Sequence, residues 1–252
     1  MIIQQVSRLY SDVEPERARR LYLWLLLLLK SFSETWCPLP VFTTNYDWTW
    51  ERIAEGLKTR FNKLIDGFTA RPMGMIWDPM LFHRLKGSRY WQIVLFKLHG
   101  STSWYQQSNK QIVKITHAEN DPGELRSAVI YPVREKSVLA TQEPFATPYR
   151  YLRACLGGGV RLCVVIGYSF RDPQVNEAFV AGLSENEHLR VLILDPYPDK
   201  AGIQTALQAD SRKIIFVEDE FRFYGLNRNR ALREAIEAMM TPGFIYLQEY
   251  VS

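Results

Sequence analysis

Apolar and polar positions in this chain sort by segment. Short continuous apolar runs are followed, each time, by a cluster of hydroxyl, amide, carboxylate or imidazole groups. Val41-Phe42 runs into Thr43-Thr44-Asn45-Tyr46-Asp47, and Gln92–Leu98 (QIVLFKL) runs into His99-Gly100-Ser101. Arg161–Ile166 (RLCVVI) runs into Gly167-Tyr168-Ser169-Phe170, Arg190–Leu194 (RVLIL) into Asp195-Pro196, and Lys213–Val217 (KIIFV) into Glu218-Asp219. Strands that are apolar on both faces belong to parallel sheets covered by helices. Helix patterns fill the intervals from residue 154 onward. Asp172-Pro173 is the clearest start, because Asp accepts from the first free N–H groups and Pro fits the first helical position. That helix is expected to reach about Leu183, with others over 198–209 and 227–240.

The first half is less regular. Ser11-x-x-Glu14 reads as a capping box with Pro15 in the first turn, opening a helix over 13–32. A second helix is expected over 47–64. Residues 66–90 mix Gly67, Pro72, Gly74, Pro79 and Gly87 with Met73, Met75, Met80, Trp77 and Phe82. This pattern predicts a small irregular or helical insertion, placed at 58–91. A hairpin is expected around Ser108-Asn109, a short strand at 128–133, a helix opened by Pro148, and a turn at Gly157–Gly159. The predicted fold class is α/β: a Rossmann-like, mostly parallel sheet with helices on both faces, as one domain over 1–252.

Composition changes this picture little. The 252 residues are 47% apolar and 23% charged, ordinary for a folded domain that can bury a core without disulfides. The net charge of +4 is spread without any run of five like charges, so no nucleic-acid surface is expected. Cys37, Cys155 and Cys163 form no C-x-x-C pair, which argues against a zinc site and for a reduced, cytoplasmic setting. The nine-residue apolar run Leu21–Leu29 is far short of the about 20 residues of a membrane span. It follows Asp12, Glu14 and Glu16 and precedes no small-residue cleavage site, so a buried helix is expected rather than a signal peptide.

The polar clusters carry the candidate chemistry. In open α/β sheets ligands bind outside the carboxyl ends of the strands, where Thr44, Asn45, Asp47, His99, Gly167, Ser169 and Asp195 all fall. Their chemistry fits a nucleotide. Gly167 lets backbone approach a phosphate, Ser169 and the next helix N-terminus offer donors, and Asp195 can accept from a ribose hydroxyl. His99 is the obvious general acid or base, and Asn45 can orient a water, amide or hydroxyl. Each group also has a structural alternative: a strand-end histidine can be purely architectural, and Asn-Tyr-Asp or Asp-Pro can simply cap a helix.

Three motifs resemble the sirtuin-like family, in particular its bacterial branch of NAD-cleaving antiphage defence proteins. They are Thr43-Thr44-Asn45-Tyr46-Asp47, Lys97-Leu98-His99-Gly100-Ser101 and Ile166-Gly167-Tyr168-Ser169-Phe170-Arg171-Asp172-Pro173, in matching order over about residues 35–220. The resemblance implies a Rossmann-like NAD site. Asn45 and Asp47 would lie at the nicotinamide ribose, with His99 as catalytic base. Thr44, Gly167, Ser169 and Phe170 would hold the rest of the nucleotide, and Asp195 its adenosine end. It implies hydrolysis of NAD, as substrate, to nicotinamide and ADP-ribose, with no metal and no membrane or direct nucleic-acid partner. Assembly would be as a homo-oligomer or with a defence partner. The paired cysteines of zinc-ribbon deacylases are missing, so deacylation is not expected. One departure stands out: the family's Gly-Ala-Gly turn has no counterpart before Val41, where Met1–Val6 is the only candidate strand and the first glycine of the chain is Gly56. A late-starting or truncated relative, and a domain with an incomplete cofactor site, both fit this departure. The second of these is a non-catalytic nucleotide-sensing or scaffold domain that assembles with an effector or ATPase.

Overall fold

The computed structural model describes residues 38–56, 63–72, 74–84, 92–115, 125–130, 140–219 and 230–240. The helix expected over 13–32, with its apolar run, and Cys37 lie outside these residues. The described chain divides after Pro148 into two compact units.

In the first unit, β1 (Leu39–Thr43) and β2 (Lys63–Ile65) flank β5 (Gln92–Lys97) in a parallel three-stranded sheet. Register pairs Val41 with Leu95 and Thr43 with Lys97. Ile93, Val94, Leu95 and Phe96 are all buried, as an uninterrupted apolar strand covered on both faces requires. Phe42 stacks on Phe96 with ring centroids 4.8 Å apart. Helix α1 (Thr49–Gly56) follows β1. It does not run on to residue 64 as expected, because Lys63–Ile65 is a strand paired to β5.

The rest of this unit is an antiparallel sheet in the order β3 (Phe68–Arg71), β4 (Gly74–Trp77), β7 (Ile112–Lys114), β6 (Gly100–Gln106) and β8 (Arg126–Val129). The expected hairpin around Ser108-Asn109 is β6–β7. The expected helical insertion is corrected: described residues 63–77 are strands with intervening turns, followed by one 3-10 segment, Pro79–Arg84. Met75 and Trp77 pack against the apolar face of a sheet, whereas Phe82 is buried on the 3-10 segment. Phe68 packs 5.1 Å from Trp104 and 5.3 Å from Trp77 (ring centroids), over Ile112 and Ala128. Trp104, Ile112 and Ala128 lie tens of residues from Phe68, beyond any local pattern.

The second unit alternates strand and helix as the apolar runs predict. β9 (Leu162–Ile166), β10 (Arg190–Leu194) and β11 (Ile214–Val217) form a parallel sheet with β10 in the middle. Val191 to Leu194 are buried. Helix α2 (Ala146–Ala154) precedes β9, and the chain continues helically through a π segment, Cys155–Gly159, where a turn was expected. Helices α3 (Pro173–Glu185) and α4 (Lys200–Leu207) follow β9 and β10. Leu232 and Ile236 of α5 (Arg230–Met240) pack against Leu192, Leu194 and Val217. Among the described residues no helix is long and apolar enough to cross a membrane. Parallel sheets and interspersed helices make the architecture mixed α/β, consistent with a Rossmann-like fold.

Candidate functional site

The first group of candidate residues lies at the carboxyl edge of the β1–β5 pair. The Leu98 N–H donates to the Thr43 carbonyl at 2.9 Å, so the two strands leave the sheet side by side. Thr44, Asn45 and Asp47 follow one strand and His99 the other. Asn45 is exposed; its backbone N–H donates to Thr43 Oγ1 at 3.1 Å, which sets the turn and leaves the side-chain amide at the surface. His99 is buried, with its ring centroid 6.3 Å from that of Tyr46. The Tyr46 hydroxyl donates to the Ile130 carbonyl at 2.5 Å, and the Ile130 N–H donates to the His99 carbonyl at 2.9 Å. Tyr46 and His99 are therefore held by a common neighbour. Asp47 is buried, and its Oδ1 accepts from the Thr49 N–H at 2.9 Å, which caps the start of α1.

His99 owes its place to Gly100. β5 ends at Lys97 in the parallel sheet, and β6 begins at Gly100 in the antiparallel one, with only Leu98 and His99 between. Gly100 makes this change of sheet at φ +82°, and a Cβ there would lie 2.3 Å from the Ala128 carbonyl oxygen. Only glycine adopts that conformation and that approach without strain. The histidine-glycine pair is thus a conformational unit as well as a chemical one.

Sequence reasoning missed the residues that fasten this edge. Lys97 is buried, and its Nζ donates to the Asp47 carbonyl and to Ser101 Oγ, the latter at 3.3 Å. It also lies 3.2 Å from Glu51 Oε1 on α1. The Ser101 hydroxyl and the Thr102 N–H both reach the Tyr46 carbonyl at 3.2 Å. The available signal was a charged residue closing an otherwise apolar strand, QIVLFK.

The second group lies at the carboxyl edge of β9 and β10, in the second unit. Gly167 is exposed at φ +65°, with nothing within 4 Å of where a Cβ would stand, so its backbone is open to an approaching group. Ser169 is exposed. Phe170 is buried at φ +54°, its ring 4.8 Å from Tyr168 and 5.6 Å from Phe179, and its carbonyl accepts from Asn176 Nδ2 at 2.7 Å. Its side chain belongs to the core, which leaves only backbone for a ligand. Asp195 Oδ1 accepts from the Tyr197 N–H at 2.8 Å, closing the turn after β10.

The N-terminus of α3 corrects one expectation. Asp172 Oδ1 accepts from the Gln174 N–H at 3.0 Å and the Val175 N–H at 3.4 Å. The donors expected to face an anion are occupied by the protein's own carboxylate, whose charge already offsets the helix dipole. Asp172→Ala is expected to cost about 1 kcal/mol of stability through loss of the cap. A thermal melt checks this; an unchanged midpoint would show that the cap contributes nothing.

Two other features bound the chemistry. Burial pushes the Cys163 thiol up to about 12, with Cys155 nearby adding to the shift, and burial alone pushes the Cys155 thiol up to about 11. Neither is poised as a thiolate nucleophile. Burial, and then the Asp172 charge, hold the Tyr168 phenol well above its ordinary range. A cavity of about 640 Å³ in the first unit is walled by Arg71, Trp77, Asp78 and Gln111, among others, and includes none of the candidate residues.

A family model described as "SIR2-like domain" matches residues 40–217, which contain all three motifs and both groups of candidate residues. No curated protein matches the chain.

Proposed function

The chain belongs to the SIR2-like domain family, whose members use NAD, and from that premise we propose that it hydrolyses NAD to nicotinamide and ADP-ribose, in bacterial antiviral defence. The observation that carries this reading is the pairing of two strand ends: the exposed Asn45 follows one and the buried His99 the other, and the Leu98–Thr43 hydrogen bond joins the two ends.

In this reaction the bond between the ribose anomeric carbon and the nicotinamide nitrogen breaks, and nicotinamide leaves as a neutral base. A water oxygen bonds to the anomeric carbon, and its proton passes to His99. Asn45 has both a donor and an acceptor with which to orient that water and a ribose hydroxyl. His99 supplies general-base catalysis at a strand end shielded from bulk solvent. Asp47 and Thr44 shape the loop on the ribose side. Incubation of the purified protein with NAD, with chromatographic detection of nicotinamide and ADP-ribose in equal amounts, tests the assignment. Intact NAD after prolonged incubation at high enzyme concentration would overturn hydrolysis.

The α3 N-terminus favours a second reading, in which the domain senses a nucleotide or serves as a scaffold for a defence partner. Its N–H groups are taken by Asp172, so one common phosphate-holding device is already in use. Calorimetric titration separates the two. Heat of NAD or ADP-ribose binding without nicotinamide release selects sensing, and absence of any heat selects the scaffold.

A further inference from the structure

Lysine is among the residues least often buried, and Lys97 is buried to 2% exposure. A buried ion pair rarely stabilises a fold better than apolar residues of the same shape, because both charges must be desolvated. The Lys97–Glu51 pair therefore needs a reason other than stability, and its geometry supplies one. Lys97 Nζ binds the Asp47 carbonyl and Ser101 Oγ, and Ser101 Oγ in turn donates to the Tyr46 carbonyl. Two successive carbonyls of the loop that carries Asn45 are thus tied to the β5–β6 junction that carries His99. Glu51 completes the device from α1. Its Oε1 faces Lys97, while its Oε2 is buried with no hydrogen-bond partner among the described residues, so Lys97 is the charge that balances it.

We propose that Lys97, balanced by Glu51, is a positioning residue that sets the Asn45 loop at a fixed distance from His99. This deepens, and rests on, the NAD-hydrolysis reading above. Lys97 touches no reacting atom; it acts through the backbone of Tyr46 and Asp47. Small misplacements of reacting groups cost far more rate than binding.

The test separates positioning from stability. Lys97→Met leaves Glu51 buried and unpaired, so its melting temperature falls. The double variant Lys97→Met with Glu51→Leu removes both charges and recovers the melting temperature. In that recovered variant, amide hydrogen exchange over residues 44–48 and 99–102 is expected to rise. Its kcat for nicotinamide release is expected to stay about 100-fold down, with KM nearly unchanged. Wild-type exchange in that loop, or wild-type kcat despite faster exchange, would overturn the proposal. Ser101→Ala keeps the Lys97–Glu51 pair and the Lys97 bond to the Asp47 carbonyl, and removes the hydroxyl that links Lys97 and Ser103 to the Tyr46 carbonyl, so it reads the same signature even if the double variant does not fold. A wild-type protein that releases no nicotinamide fails the hydrolysis reading alone, and the exchange result then decides whether Lys97 anchors the loop.

Discussion

Nicotinamide release by His99→Ala is expected to fall by about 10²–10⁴-fold, the range lost with a general base. His99 is buried at the β5 end, so its replacement removes the base from a site where bulk water is a poor substitute. The fold should survive, because the backbone bond from Ile130 to the His99 carbonyl does not need the imidazole. Asn45→Ala should also lose most turnover while leaving stability unchanged, since Asn45 is exposed and its hydrogen bond to Thr43 Oγ1 is made by the backbone N–H. Circular dichroism confirms folding, and quantified nicotinamide gives the rates. Full turnover in both variants would remove these residues from the mechanism.

The largest expected effect on stability belongs to Gly100→Ala. A Cβ at this position meets the Ala128 carbonyl oxygen at 2.3 Å and the Phe145 ring at 3.1 Å, on a backbone at φ +82°. The left-handed backbone costs a side chain about 1–2 kcal/mol. Overpacking against backbone that cannot swing aside adds roughly 1–3 kcal/mol. Gly74→Ala is the matched control: φ is +120°, but nothing lies within 4 Å of the added Cβ. The difference between their denaturation midpoints isolates the clash. If the two variants melt together, the β5–β6 junction is looser than this geometry requires. A destabilised Gly100→Ala should also lose activity at temperatures where it remains folded, because the same turn sets His99.

Much of this architecture follows from local sequence. The runs QIVLFK, LCVVI, RVLIL and IIFV are strands within a residue or two of where their apolar character ends, because a strand buried on both faces leaves no polar position inside it. Asp172-Pro173 caps α3 as its chemistry requires. Polar clusters after these runs mark strand ends for the same reason: the chain needs hydrogen-bonding groups as soon as it leaves the sheet.

Other features depend on partners far away in the chain. β3 and β4 carry Phe68 and Trp77 against Trp104, and no pattern internal to 58–91 records the contact with that distant residue. The continuation of α2 through Gly157 brings Leu156 against Gly182, where a Cβ would sit 2.5 Å from the leucine Cβ; three glycines in a row predict a turn when that neighbour is unseen. Lys97 and Glu51 look like ordinary surface charges until β5 and α1 come together, because an ion pair is a property of two positions.

The strands, their polar ends, the Asp172 cap on α3 and the residue types able to handle a nucleotide were thus written in local hydrophobic pattern and cap chemistry, which act over a few residues. The placement of His99 by Gly100 and the Lys97–Glu51 anchor beneath the Asn45 loop came from folding. Each depends on distances between atoms that only the assembled backbone can set.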